Sequence, residues 1–254
     1  MTDTPWAHAH RRRVTLLISV VLIVFFSAYF AVRLYRTPTC FDGVQNREEV
    51  GVDCGGSCDL YCESQTQPMR LVWSQVFEAS SGMYNAVAYL ENPNFDKQAD
   101  ALRYRFVVYD REGAVLAKRE GVTDIRREPI VGVFASRISI QSGEPYKTSF
   151  EWIDEPVWRR ASVERRVSVN DEAFLQAQFG TELAATISNK EPVPLRDVEV
   201  VVIVYDAEGN ALTATQTYID FLAPREKKSI SFAWPRVLPK QKGRVEFLPR
   251  IPPQ

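Results

Sequence analysis

The sequence has 254 residues, of which 45% are hydrophobic and 25% are charged, and its formal net charge is −1. This balance lacks the basic excess that binds nucleic acid, so we expect no nucleic-acid partner. Both histidines, His8 and His10, lie near the N-terminus, so the long remainder offers no imidazole for Ser-His or Cys-His catalysis, and we predict no catalytic residue and no enzyme.

Val14–Val32 is an uninterrupted apolar run without a charged residue, proline or glycine. As an α-helix that rises about 1.5 Å per residue it spans about 28 Å, close to the hydrocarbon thickness of a bilayer. A cleaved signal peptide is the alternative, but its apolar region usually has about 7–15 residues and ends in a small-x-small triplet. This run is longer and no such triplet closes it. We therefore predict a transmembrane helix over residues 14–35, an uncleaved signal anchor with the lipid bilayer as a partner.

Arginines flank both ends of this run. Arg11–Arg13 precede it, whereas Arg33 and Arg36 follow it. Since the cytoplasmic flanks of membrane helices carry the excess of Lys and Arg, residues 1–13 are predicted to form a cytoplasmic tail. The body after about Tyr35 is then predicted to be extracytoplasmic, on a single-pass protein of the cell membrane.

A short segment beyond the helix, residues 37–64, contains all the cysteines, and we call it the collar. Four cysteines in a small Gly- and Asp-rich segment outside a membrane favour two disulfides, with three pairings open. Zinc is the alternative, but zinc sites normally use two separated cysteine pairs, whereas here one cysteine precedes an evenly spaced row of three. The candidate disulfide residues are Cys40, Cys54, Cys58 and Cys62.

The collar also carries oxygen ligands at short intervals, of the kind that calcium prefers in tight loops. Solvated acidic residues in a polar turn are the alternative, since the spacing does not follow the loop of an EF-hand. We predict no cofactor for this chain, with calcium in the collar as the alternative. The candidate calcium ligands are Asp42, Asn46, Glu49 and Asp53.

Many collar positions belong to one pattern. They are Cys40, Asp42, Gly43, Asn46, Glu49, Gly51–Gly56 and Cys58. This pattern resembles a small cysteine motif that recurs in exported and surface-anchored proteins. One departure is that Asp59–Tyr61 places three residues between the last two cysteines, where the motif usually has two. The resemblance implies an exported location and names no activity.

From Met69 onward short apolar runs alternate with turn residues, which is typical of β-strands. Leu102–Tyr109 begins with the alternation of a half-buried strand, and Asp110–Gly113 then reverses the chain. Such runs recur about every 10–15 residues without a convincing amphipathic helix between them. The body is therefore predicted to be mainly β.

The body contains an internal repeat, in which Phe106–Leu116 matches Ile203–Leu212 at an offset of about 96 positions. Both copies contain a Tyr-Asp-x-x-Gly turn. The Asp side chain caps such a turn, and the glycine supplies the positive φ that it needs. Because Asp110 and Asp206 occupy the same turn in both copies, we interpret them as structural rather than catalytic.

A second match, between Phe150–Trp152 and Phe232–Trp234, has an offset of only 82 positions. It predicts about 14 extra residues in the first copy, which we place at residues 126–141. The spacing of strands predicts two immunoglobulin-like β-sandwiches, over residues 69–156 and 162–250. Their predicted core aromatics are Trp73, Phe77, Phe106, Phe150, Trp152, Phe232 and Trp234.

The second copy contains Asn189, Asp197 and an apolar run that ends at Tyr205, and it resembles the FxLYD group of sandwich domains. The first copy matches that pattern more loosely, around Asn92 and Tyr109. Over most of its length the chain resembles uncharacterised single-pass membrane proteins of candidate-phylum, Patescibacteria-like bacteria. That resemblance implies an anchor, a collar and two sandwiches, and it implies no biochemical role.

The predicted fold class is mainly β, with one N-terminal transmembrane helix, a short disulfide-rich segment and two tandem immunoglobulin-like β-sandwiches. We expect a non-catalytic, membrane-anchored exported protein that presents the sandwiches to another envelope protein or wall polymer, for binding or envelope assembly. The alternatives are an accessory subunit of a secretion, pilus or wall-synthesis complex, and a wall-polymer hydrolase.

The expected contact surfaces are the sheet edges and residues 126–141. Arg159–Arg160 and Arg165–Arg166 form a basic cluster between the predicted domains. Contact with anionic wall polymer or lipid headgroups is one interpretation of this cluster, and a solvated linker is the other.

Overall fold

The computed structural model describes residues 5–34, 39–161, 165–177, 180–239 and 243–252. A long helix, α1, covers Pro5–Leu34, and a short 3-10 turn covers Glu63–Gln65. The segment His10–Val32 of α1 has mean hydropathy 2.5, and none of it packs against the rest of the protein. Its length and composition suit a membrane anchor or a signal sequence.

The described residues beyond the collar form antiparallel β-strands joined by turns, which confirms the prediction of a mainly β fold. The first seven strands are β1 (Arg70–Ser80), β2 (Met83–Glu91), β3 (Lys97–Tyr109), β4 (Val115–Ile125), β5 (Ile130–Ser139), β6 (Lys147–Trp152) and β7 (Arg159–Arg160). The next six are β8 (Val167–Ala177), β9 (Gly180–Asn189), β10 (Leu195–Tyr205), β11 (Ala211–Leu222), β12 (Lys227–Trp234) and β13 (Val245–Arg250).

These strands form four sheets that pack as two sandwiches. The first sandwich has sheets β1-β2-β5 and β4-β3-β6, with β7 paired to the start of β3. The second sandwich has sheets β12-β9-β8 and β11-β10-β13. Each strand of one sandwich thus has an equivalent in the other, apart from β7.

Each sandwich buries a core between its two sheets. Along β2, Ala88 and Leu90 face the first core, while Val87 faces the opposite side of the same sheet. This follows from the two-residue period of a strand, and it leaves β2 buried on both faces. In the second sandwich, the central strand β10 of sheet β11-β10-β13 likewise sends Val202 into the second core and Ile203 to the outer face of its sheet.

The chain after β6 still belongs to the first sandwich. Trp158 is 5% exposed and lies in the first core, and β7 pairs with Lys97 and Gln98. The first sandwich therefore continues past residue 156, its predicted end. Residues 162–164, at the predicted start of the second sandwich, lie outside the described residues.

The internal repeat continues through all six strands, and the predicted insertion is wrong. Phe150 lies opposite Phe106 in the β3–β6 pair, and Phe247 lies opposite Val202 in the β10–β13 pair. The true equivalent of Phe150 is therefore Phe247, whereas Phe232 lies on β12, the equivalent of β5. The two Phe-x-Trp segments are alike in sequence but lie on different strands, and residues 126–141 form β5 and its flanking turns.

The Tyr-Asp-x-x-Gly turn has the same geometry in both sandwiches. The Asp110 carboxylate accepts the Ala114 N–H at 2.7 Å, and the Asp206 carboxylate accepts the Asn210 N–H at 2.7 Å. The glycines of the two turns have φ of 85° and 88°. These contacts support the structural interpretation of both aspartates.

A third apolar cluster joins the two sandwiches. Trp73 and Phe77, which we predicted in the core of the first sandwich, lie instead on the outer face of sheet β1-β2-β5. That face packs against the outer face of sheet β11-β10-β13, so the four sheets are stacked. The fully buried residues of this cluster are Phe77, Val87, Val201, Ile203, Tyr205 and Ala214.

Candidate functional site

The collar is closed by two disulfides, as predicted. They join Cys40 to Cys58 and Cys54 to Cys62, which decides among the three pairings that the sequence left open. Since all four sulfur atoms are bonded in pairs, the zinc alternative does not apply.

Two glycines of the cysteine motif are required by close packing in the collar. A Cβ on Gly51 would lie 3.0 Å from the Cys54 Sγ and 3.1 Å from the Cys62 Sγ. Gly56 has φ of 57° and passes so close to the Glu48 carbonyl that a Cβ would lie 1.8 Å from its oxygen. The motif glycines therefore allow the chain to fold tightly around the disulfides.

The four candidate calcium ligands all lie in the turns of the collar. The Asp53 carboxylate accepts the Asp42 and Gly43 N–H groups at 3.0 Å, and the Asp42 carboxylate accepts the Val44 N–H at 3.0 Å. The Asn46 amide donates to Asp42 at 3.0 Å. Glu49 accepts the Asn46 backbone N–H at 3.1 Å. These oxygens cap the backbone of the turns, and calcium binding by them stays a prediction.

The collar is attached to the first sandwich through Arg159 and Arg160. Leu60 bridges to Arg159, the Arg160 N–H donates to the Asp59 carbonyl at 2.9 Å, and the Arg160 Nε donates to the Cys58 carbonyl at 2.9 Å. Its guanidinium also donates to the Gly56 carbonyl. Arg159 and Arg160 belong to the basic cluster that we interpret from the sequence as a contact for anionic polymer or lipid headgroups, or as a solvated linker. The structure places these two arginines against the collar, and contact with a polymer or headgroup stays a prediction.

Apolar and aromatic contacts complete this junction. The Tyr61 N–H donates to the Trp158 carbonyl at 2.9 Å, and the Tyr61 ring packs against the first core. The ammonium group of Lys97, a residue only 8% exposed, lies 4.8 Å from the centre of that ring. It also pairs with Asp96 at 2.7 Å, and this hydrogen bond lowers the pKa of the Asp96 carboxyl. A buried lysine needs such partners, and no sequence motif indicated it.

A shallow cavity of about 430 Å³ opens at the other end of β3. It is lined by the turn after Tyr109 and by the start of β6, including Tyr146 and Lys147. The Arg111 guanidinium lies 5.5 Å from the centre of the Tyr146 ring, which is 68% exposed. The lining combines the exposed Tyr146 ring with the cations of Arg111 and Lys147 and the carboxylate of Asp110, which suits a polar, sugar-like ligand. No sequence pattern indicated this grouping, because its members lie on two separate segments.

A polar network lies at the border of the sandwich–sandwich interface. The Glu246 carboxylate accepts hydrogen bonds at 2.9 Å from the hydroxyl groups of Tyr89, in the first sandwich, and Tyr205, in the second. Arg244 lies 3.4 Å from the same carboxylate. Burial and the hydrogen bond to Glu246 raise the pKa of Tyr89 to about 12, and the same causes raise the pKa of Tyr205.

A second contact across this interface comes from the last strand. Arg250 pairs with Glu199 within the second sandwich and donates to the Asp124 carbonyl of the first at 3.3 Å. Gly132 faces Leu248 so closely that a Cβ there would lie 2.6 Å from the Leu248 Cδ1. The two sandwiches are therefore joined by apolar packing with hydrogen bonds at its margin.

Comparison with known proteins assigns no family. No protein-family model matches the chain, and no curated protein matches it. A crystal structure of red sea bream transglutaminase matches with a TM-score of 0.19 and 13% sequence identity. That match covers 71% of this chain and 29% of the other chain. A likeness at this level carries no conclusion about fold or catalysis.

Proposed function

We propose that this protein is a membrane-anchored exported protein that presents two immunoglobulin-like, FxLYD-related sandwiches for binding or envelope assembly, without catalysis of its own. The helix α1 is its uncleaved anchor, with the N-terminal tail in the cytoplasm. The observation that carries the proposal is the junction between the collar and the first sandwich. A disulfide-closed segment placed directly after an apolar helix and hydrogen-bonded to the body suits a rigid stalk.

The two disulfides support the extracytoplasmic side of the proposal, because such bonds persist in oxidising compartments. The sandwich–sandwich interface supports a scaffold role, since it holds the two bodies as one stack. The surface offered to the partner is the cavity around Tyr146, with Arg111 and Lys147 at its rim. It lies about 40 Å from the collar-proximal end of β3, since β3 has 13 residues and a strand rises about 3.3 Å per residue.

The test is photo-crosslinking in the native envelope, with a photoreactive residue in place of Tyr146. The matched control carries the same residue at Tyr218, which is also exposed but lies on the second sandwich. We expect a crosslinked envelope protein or wall polymer from position 146 and not from position 218. Equal labelling from both positions, or none from either, would contradict binding at this cavity.

An accessory subunit of a secretion, pilus or wall-synthesis complex is the second candidate. The rigid four-sheet stack favours it, because a fixed spacing between anchor and cavity suits a part that fits into a larger assembly. Identification of the crosslinked partner separates the two. A membrane protein of a multi-subunit machine supports the accessory subunit, whereas wall polymer supports a free-standing binding protein.

A wall-polymer hydrolase is the third possibility, and Glu128 provides its sharpest test. Burial raises the pKa of the Glu128 carboxyl, as a general acid requires. However, its carboxylate accepts the Arg126 N–H at 3.0 Å and caps the turn before β5. Any hydrolysis by the purified protein should therefore be unchanged in Glu128→Gln, and its loss in that variant would reopen the enzymatic hypothesis.

A further inference from the structure

The collar has two unlike parts. Cys58 to Tyr61 and Gly56 contact the first sandwich through hydrogen bonds and the Tyr61 ring. The earlier part of the collar instead presents apolar side chains to solvent. These are Phe41 (82% exposed), Val44 (55%), Val50 (50%) and Val52 (55%). Phe41 is the most exposed large apolar side chain among the described residues.

These apolar residues come from two segments that are hydrogen-bonded side by side. The Asp53 carboxylate accepts the N–H groups of Asp42 and Gly43, next to Phe41. The Gln45 amide donates to the carbonyls of Glu49 and Val50, both at 3.1 Å. The segments that carry the four side chains are thus joined by hydrogen bonds within a small, disulfide-closed unit.

The position of this apolar group along the chain limits what can cover it. Phe41 follows Leu34, the last residue of α1, by only seven positions. A chain of that length reaches at most about 25 Å when fully extended. If α1 spans the membrane, the collar therefore lies at the surface of that membrane, within reach of the interface where aromatic side chains are preferred.

We propose that Phe41, Val44, Val50 and Val52 insert into the outer interface of the bilayer that α1 spans. The inference rests on the proposed role of α1 as an uncleaved anchor. The collar is then a second point of attachment to the membrane, beside α1. Its apolar side rests in the lipid while its other side holds the first sandwich through Arg160. This second attachment fixes the tilt of the stacked sheets relative to the membrane, which a single helix with a short connection would leave free.

The test uses the full chain with Phe41→Trp, reconstituted in phosphatidylcholine vesicles with or without bromine-labelled acyl chains near the headgroup. The emission of the native tryptophans is measured on the unsubstituted protein in the same vesicles and subtracted. Tyr146→Trp, at the far end of β3, is the matched control, and non-reducing mass analysis verifies both disulfides. If the Phe41→Trp variant does not form both disulfides, Val52→Trp provides a second reporter.

We expect the brominated lipid to remove most of the emission added by Trp at position 41 or 52, and none of that added at position 146. A protein that co-floats with the vesicles but keeps its added emission overturns the inference and leaves the anchor intact. If this unquenched emission at position 41 is also blue-shifted, the apolar group is covered by a second copy of this chain and not by lipid. A protein that does not co-float overturns the anchor and the inference together.

Discussion

The two sandwiches have the same arrangement of strands but different side chains in their cores. The first core contains stacked and edge-to-face aromatic rings, among them Tyr104, Phe106 and Phe150. At the positions equivalent to Tyr104 and Phe106, the second core has Val200 and Val202. Close-packed cores tolerate such exchanges when total volume is preserved. The same backbone arrangement thus accommodates different side chains at equivalent core positions.

What both sandwiches keep is a set of side chains that hydrogen-bond to the backbone. Asn92 and Asn189 are 3% and 2% exposed, and both join the strand that they end to the turn before the last strand of their sheet. Ala101 and Asp197 also match, with φ of 53° and 51° at the same point of β3 and β10. The comparison teaches that satisfied backbone groups, more than core composition, are the repeated feature.

The largest expected loss of stability comes from substitution of the buried asparagines. The Asn189 amide donates to the carbonyls of Val193, Leu222 and Ala223, whereas that of Asn92 donates to two carbonyls. We expect Asn189→Ala to lower the free energy of unfolding by about 4 kcal/mol and the equivalent Asn92→Ala by about 2 kcal/mol, because each leaves carbonyls unpaired.

Denaturant unfolding of the detergent-solubilised protein, followed by fluorescence, measures both changes. The control is Asn170→Ala, an exposed residue of β8 whose amide contacts Ser168, for which we expect less than about 0.5 kcal/mol. If neither buried asparagine costs more than this control, backbone satisfaction is not what the two sandwiches share.

The collar distinguishes the first sandwich from the second, so its disulfides should matter to one of them alone. Removing the Cys40–Cys58 bond with paired Ser substitutions should cost about 3 kcal/mol, and removing Cys54–Cys62, which closes a shorter loop, about 2.5 kcal/mol. Hydrogen exchange should quicken in the collar and at the start of β3 and remain unchanged in β9. Faster exchange in β9 would show that the second sandwich also depends on the collar.

The repeated turns should respond alike. Gly113 and Gly209 have positive φ and open space where a Cβ would stand, so strain is the sole cost of a side chain. We expect Gly113→Ala and Gly209→Ala each to lower the free energy of unfolding by about 1 kcal/mol. Asn at either position should recover part of it, because Asn tolerates this conformation. If the losses in free energy of unfolding of the two alanine variants differ by more than the experimental error, the two turns are not equivalent.

The smallest expected effect is a loss of stability at high pH at the interface. Unfolded tyrosine loses its proton near pH 10, whereas Tyr89 keeps it until about pH 12 in the folded protein. The contribution of Tyr89 to the free energy of unfolding is therefore fully present below pH 10. It falls as the pH rises toward 12, because the unfolded state then binds fewer protons than the folded state. Because these phenols are partly solvent-screened, we expect a loss of only about 1 kcal/mol.

Unfolding measured at pH 9 and pH 11 tests this difference. Tyr89→Phe should reduce the pH dependence, and Tyr205→Phe should reduce it similarly because the same Glu246 holds both hydroxyls. A pH dependence unchanged in both variants would place its origin elsewhere in the molecule.

Local patterns in the sequence were sufficient for several features. The apolar run predicted a helix, the clustered cysteines predicted two disulfides, and the alternation of apolar residues predicted a mainly β body. The structure confirms all three predictions. The Tyr-Asp-x-x-Gly turns were found in both copies, because a turn is determined by a few adjacent residues. Membrane orientation, calcium binding and the resemblance to FxLYD domains stay predictions.

Features that join distant segments required the tertiary structure. The disulfide pairing, the attachment of Arg160 to the collar and the burial of Trp73 and Phe77 between sandwiches all depend on which surfaces meet. The false equivalence of Phe150 and Phe232 shows why. Every strand with an apolar face can carry a Phe-x-Trp pattern, and only hydrogen-bond register distinguishes one strand from another. A sequence fixes which way each side chain points along its strand, whereas the stacking of sheets decides what that side chain meets.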